Sequence, residues 1–383
     1  MPEIARSRQE LAQLMDHVMN QTYSSLEEEQ ELEQETSLVK TYLLEAHLPE
    51  DASPNDIRSM LQTVSETYLT HKRKLIADDT KDPTLYLLST VVDRERVILY
   101  VDVSNPRFWI LHSVNKSTAL DWVLDRVTKE VDQLDRGWLW PELLQELSTK
   151  GSFRGLGLDY DRRIVPDIDF ESPESVEYLK LQLWGMQASK VLEVLQSSFP
   201  HATTLAKVKV KYWLSQMGDG DFSLDDVKFD GKITARGTSF QSHLALVSAL
   251  YRRYADTIRR LEADFSLKWD YNENALQLSG AAIGFRFPTP IQDLERFCDH
   301  VFSSSLPFRL WGVPIRVTKS LIRVPAVDLH SSSRLDIEVC PEFMRLYLPE
   351  GACGNTIVRL YTNLKHHYDS RLKAVTADGQ VIF

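Results

Sequence analysis

The sequence is poor in several things, and each shortage closes a route. No stretch of its 383 residues approaches the ~20 consecutive apolar residues of a membrane-spanning helix. The opening MPEIARSRQELAQLM has neither the apolar core nor the small-residue cleavage site of a signal peptide. A cytoplasmic protein with no membrane partner is the expectation. Cysteine is scarce: Cys298, Cys340 and Cys353 are odd in number and show no CxxC spacing. That excludes a disulfide framework and argues against a structural zinc knuckle. Also missing are the GxxxxGK[ST] phosphate loop, a dinucleotide fingerprint after a strand, HExxH and GxSxG. The commonest catalytic routes are therefore absent, and no cofactor is expected.

What remains is an ordinary globular composition. Hydrophobic residues make up 43% and charged residues 26%, and eight tryptophans allow a large core. The length suggests two or three domains. The net charge of −11 is uneven, because residues 1–80 hold 16 acidic and 7 basic side chains. An acidic balance disfavours non-specific nucleic-acid binding, but a local basic face escapes that argument.

Periodicity divides the chain. Residues 1–77 read as helix throughout, with Leu11, Leu14, Met15, Val18 and Met19 at helical spacing. The acidic run EEEQELEQE at 27–35 is the exposed middle of a helix or a break between two. Ser53-Pro54 is an N-cap with proline at the first helical position. From about 83 the period shifts towards two, and groups of strands alternate with single helices up to the C-terminal helix at about 355–370. The predicted fold class is α+β: an acidic N-terminal helical region (1–77), then two α+β domains (83–265 and 266–383). Their sheets are mainly antiparallel and covered by helices.

The most pointed pattern is LAKVKVKYWL at 205–214. Lys207, Lys209 and Lys211 alternate with apolar residues, so one strand face carries a row of cations. In DDVKFDGKITARGTSF, Lys228, Lys232 and Arg236 sit four apart. If the two segments pair across the polar connection GDGDFSLDD, all six share one sheet face. Like charges side by side are destabilising unless an anion or carboxylates compensate them. The functional reading is an anion-binding or nucleic-acid-binding surface. The bland and favoured reading is a solvated, lysine-protected face.

Three weaker patterns complete the inventory. LPEGACGNTIVRL places Gly351 and Gly354 as a GxxG turn before a helix, with Asn355 or Thr356 as cap. Such a turn can hold a phosphate, yet a simple turn and cap suffices. Asp159 with Asp161, and Asp167 with Asp169, form two Asp-x-Asp pairs of the kind that could hold magnesium for hydrolysis. Arg162 and Arg163 between them could neutralise them instead. Cys340 and Cys353 share a short region with His330, His366 and His367, but no nucleophile context surrounds either thiol. These observations favour a non-catalytic interaction protein, an adaptor or regulatory subunit with a protein partner. Nucleic-acid binding through the lysine face is the alternative, and an aspartate-based metal hydrolase the second.

Overall fold

The computed structural model describes residues 4–29, 38–70, 73–166, 176–214, 220–272 and 275–383. The fold is α+β with two large, mainly antiparallel sheets. The chain forms two compact units, each drawn from separate stretches of sequence. One comprises Met1–Gly137, Leu147–Phe153 and Lys209–Arg253; the other comprises Trp138–Glu146, Arg154–Val208 and Tyr254–Phe383. The sequence reading had put its boundaries after 77 and near 265.

The first unit is organised around the strand Val39–Ala46, which pairs antiparallel with Phe108–Ser113 on one side and Lys232–Gly237 on the other. Beyond Phe108–Ser113 lie Glu95–Asp102, Leu85–Val92 and Ile76–Asp79. Asp93 and Arg94 close the tight hairpin between two of these with φ of 46° and 69°, the left-handed pair that matches strand twist. Beyond Lys232–Gly237 lies Phe222–Lys228.

Helices cover both faces of this sheet. Pro54–Glu66 and Ser117–Glu130 bury Ile57, Leu61, Val123 and Leu124 against Leu44, Leu88 and Trp109. On the other face Arg8–Glu29 and the start of Phe240–Phe265 enclose Leu11, Met15, Val39, Ala235 and Phe240. Fully burying each large apolar side chain contributes on the order of 2 kcal/mol. The expected cap is in place: Ser53 accepts from Asp56 N–H and Asp56 answers to the Ser53 backbone, with Pro54 next.

The all-helical reading of residues 1–77 is corrected here. Val39–Ala46 is a central strand, and short strands run through Tyr68–Thr70, Arg73–Lys74 and Ile76–Asp79. All eight residues of Val39–Ala46 are buried. A strand covered on both faces has no reason to alternate, so its period-two signature vanishes. The acidic run at 27–35 lies largely outside the described residues. A second correction concerns the polar connection before Lys228: Phe222–Lys228 is itself a strand, its inward positions Ser223, Asp225 and Val227.

In the second unit, the sheet runs in the order Ala275–Ser279, Ser266–Asn272, Phe343–Pro349, Arg334–Val339, Leu321–Asp328 and Leu310–Gly312. The helix Gly354–His367 is buried along almost its whole length. It nevertheless carries Arg359, Lys365 and His366. Arg359 donates through Nε to the Phe308 carbonyl at 2.8 Å and pairs with the Asp328 carboxylate. Lys365 reaches Glu142 at 2.6 Å and the Leu372 carbonyl at 3.2 Å.

Candidate functional site

In the first unit the sheet face under Phe240–Phe265 should be apolar, yet it carries a line of polar side chains. Thr41 and His112 stand directly opposite each other on paired strands. Asp225 and Ser223 occupy inward positions of Phe222–Lys228, and His243 comes down from the first turn of the helix. All five are buried. Burying such groups is costly unless they bond one another, and they do. Ser223 Oγ donates to Asp225 Oδ2 at 2.5 Å, and His243 Nδ1 lies 2.6 Å from Asp225 Oδ1. Thr41 Oγ1 is 2.7 Å from His243 Nε2 and 2.9 Å from His112 Nδ1.

The Asp225 carboxylate only accepts, so His243 Nδ1 donates to it. The Thr41 hydroxyl links His243 Nε2 to His112 Nδ1, and His112 Nε2 is the ring nitrogen with no bond inside this network. Burial above all, with His243 and Arg8 nearby, pushes the His112 pKa down to about 3, so the ring is neutral.

His112 lines a cleft of about 600 Å³ contained within this unit. Leu11 and Ile110 form part of its apolar wall. Gln241, Ala245, Ser248 and Arg252 line it from one helix face, at spacings of four, three and four. The small side chains at 245, 248 and 249 leave space that a leucine would fill. Arg8 also borders the cleft, but its guanidinium is committed: it meets Asp82 at 3.0 Å, Asp102 at 2.6 Å and the Thr84 hydroxyl at 2.7 Å. Arg252 is exposed and has no ion-pair partner among the described residues.

The residues singled out in the sequence lie elsewhere. The cations do alternate to one side of their strands, but carboxylates and rings interleave with them. Lys209 pairs with Asp226 at 3.2 Å, and the buried Lys232 pairs with Asp121 at 2.6 Å. Lys211 sits 3.6 Å from the centroid of the Phe222 ring, and Lys207 4.8 Å from that of Trp184. Lys228 and Arg236 remain half-buried. The compensation expected of such a face is thus largely internal.

At the GxxG turn, Gly351 has φ +80°, while Gly354 is required by proximity: a Cβ there would meet the Ile258 carbonyl at 2.8 Å. Cys353 is the N-cap, and the Gly354 N–H is taken by the Glu262 carboxylate at 2.7 Å. An internal anion therefore already sits where a phosphate would. Neither expected cap residue caps: Asn355 accepts from Tyr254 and Thr356 binds Asp328. Asp161 is held by Arg163 at 2.7 Å, and Asp159 faces Lys180 at 3.9 Å; Asp167 and Asp169 lie outside the described residues. His366 and His367 turn their Nδ1 atoms to the carbonyls of Asp159 and Asp161. Burial raises the Cys340 thiol pKa and pushes that of Cys298 up to about 12, so neither is an activated thiolate.

Sequence reading missed the histidine chain entirely. Its one visible signal was a set of polar residues at core positions: Thr41 in VKTYLLEA, His112 in FWILHS, and Ser223 with Asp225 at alternate positions of a strand.

Comparison with known proteins adds a family. The model of the MJECL33-like protein family matches residues 1–382. The chain is 25% identical over 406 residues to the uncharacterized protein MJECL33 of Methanocaldococcus jannaschii, an alignment spanning 96% of this chain and 93% of that one. The chain belongs to the MJECL33-like family.

Proposed function

We propose that this protein is an enzyme acting on a small molecule, and that its reaction begins with proton transfer from the bound molecule to His112 Nε2. The observation that carries this reading is the buried chain Asp225–His243–Thr41–His112 ending at the wall of a cleft. A neutral imidazole with a depressed pKa is by itself a weak base. Here the proton need not stay on it. With Thr41 donating to His243 Nε2 and accepting from His112 Nδ1–H, a proton gained at His112 Nε2 lets the Nδ1 proton pass to Thr41 and the Thr41 proton pass to His243. The positive charge then rests beside Asp225, as in other acid–base relays with an orienting carboxylate. Thr41 itself is a link and not a nucleophile, because its side chain has no exposed surface from which to attack a substrate.

His112→Asn separates the two roles, since its amide can still donate to Thr41 while the Nε2 lone pair is gone. Parent and variant are each incubated with a small-molecule extract of the native host and the products compared by mass spectrometry. The parent alters a defined set of compounds and the variant leaves them untouched. Identical profiles for the two proteins overturn the reading.

A second reading, a protein-interaction role, is favoured by the ribbon Ser266–Asn272 with Ala275–Ser279. Trp269 stands opposite Leu278 and Tyr271 opposite Leu276, and these four are 65%, 51%, 86% and 57% exposed. Among the described residues, the ribbon pairs with the neighbouring strand at Ser266 and Leu267. An isolated two-stranded ribbon is marginal in water, which suits one that a partner protein covers. Under this reading, a protein co-purifying in fixed ratio from the native host is lost with Trp269→Ser and Tyr271→Ser together. Retention of that protein at the same ratio removes it.

A further inference from the structure

We infer that the cleft takes a small organic monoanion, a carboxylate with an apolar body and a hydroxyl distant from the acid group. This rests on the reading of the cleft as a ligand site and adds the chemistry of what fills it.

Three features of the cleft select that class. The first is its charge. Arg8 is matched by Asp82 and Asp102, which leaves Arg252 as the one cation at the cleft without a carboxylate partner among the described residues. A single guanidinium compensates one negative charge in bidentate fashion. A phosphate dianion would bring a second negative charge that no further uncommitted cation among the described lining residues compensates. The second is the acceptor. In the proton-accepting form proposed above, His112 Nε2 offers a lone pair, so its complement is an O–H on the ligand. A group that can only accept leaves that nitrogen without a bond. The third is the rest of the lining. Leu11, Ile110, Leu244, Ala245 and Ala249 are apolar or small, which suits methylenes. Gln241 and Ser248 supply hydrogen-bonding capacity along the same helix face. Neither has a bonding partner among the described residues.

Four probes of equal chain length test this by calorimetry on the full chain: 6-hydroxyhexanoate, hexanoate, 1,6-hexanediol and hexyl phosphate. The expected order places 6-hydroxyhexanoate first. Hexanediol is at least tenfold weaker because Arg252 has nothing to hold. Hexanoate is several-fold weaker because His112 Nε2 is unmet, and hexyl phosphate is weaker than hexanoate. In Arg252→Gln the hydroxy acid and the diol become equal. Ala245→Trp, which fills the cleft, removes binding of all four; Ser248→Phe repeats that test should the first variant fold poorly.

Equal affinity of diol and hydroxy acid in the parent overturns the monoanion inference and leaves the cleft reading standing. Tightest binding of hexyl phosphate overturns it in favour of a phosphorylated ligand. Binding that survives both cleft-filling variants, or no binding of any probe, removes the inference. Failure of the proton-transfer reading shows separately, as unchanged product profiles for His112→Asn.

Discussion

Each unit of this protein buries a polar network, and the two are built on opposite plans. In the second unit Asp328 is enclosed by Arg359, Thr356, Ser331 and the His330 N–H. Burial alone would raise the Asp328 pKa, but Arg359 foremost, with His330 and Thr356, holds it below the usual carboxylate value. That network closes on itself. In the first unit two imidazoles and a hydroxyl lead away from the Asp225 carboxylate, and the line ends on the His112 ring at a cleft. Equal burial thus serves two ends. A matched ion pair fixes a core, whereas a series of imidazole and hydroxyl links reaches from a buried carboxylate to the wall of a cleft.

The contrast can be broken by substitution. The largest effect falls on the closed network. Arg359→Met leaves a buried, uncompensated carboxylate and costs about 3–5 kcal/mol in urea unfolding. Adding Asp328→Leu recovers most of that loss, because an apolar pair of similar size is often no worse than the ion pair. In the open network Asp225→Asn removes a hydrogen-bonded charge and costs about 1.5–3 kcal/mol. If Asp225→Asn matched Arg359→Met, the two networks would be equally charge-driven and the contrast would be wrong.

The pH response sharpens the comparison further. His112 and His366 each have a folded-state pKa pushed down to about 3 by burial, below the ordinary 6.5. Each is neutral in the fold, while the unfolded chain takes up a proton below 6.5. Their contribution is therefore full above about pH 6.5 and is lost as pH falls from there towards 3. The slope is about 1.4 kcal/mol per pH unit per histidine within that window. His112→Asn reduces the acid slope of the parent by one such increment. An unchanged slope would mean that the ring is already protonated in the fold. The smallest effect belongs to the exposed ribbon. Tyr271→Ser changes stability by no more than about 0.5 kcal/mol, and a larger loss would show that the ribbon packs on its own unit.

How much of this was legible in the sequence follows from how each signal arises. Strands with one half-exposed face declared themselves, as in Leu205–Trp213, where Lys207, Lys209 and Lys211 mark one side. So did the amphipathic helices Ser117–Glu130 and Phe240–Phe265. Val39–Ala46 did not, since burial on both faces erased its alternation. The basic residues could be placed on strands but not given partners: Asp121, which neutralises Lys232, is far off in sequence. The histidine network was hidden for the same reason. Thr41, His112, Asp225 and His243 come from four elements, and only pairing and helix docking bring them within 3 Å of one another in turn. Spacing rules detect groups that share an element, and here only Ser223 and Asp225 do.

The position of Val39–Ala46 also sets a timetable for biosynthesis. Phe108–Ser113 pairs one flank, and on the other Leu134–Arg136 pairs Leu44–Ala46 while Lys232–Gly237 pairs Val39–Tyr42, so that last stretch waits until residue 237 has left the ribosome. At typical elongation rates of ~5–20 residues per second, that wait is on the order of 10–40 s. Throughout it, the backbone edge of Val39–Tyr42 is open to pairing with any neighbouring nascent chain. Crowded polysomes are thus where this protein is most exposed to misassembly, and chaperone depletion should lower its yield more than it lowers the stability of the finished molecule.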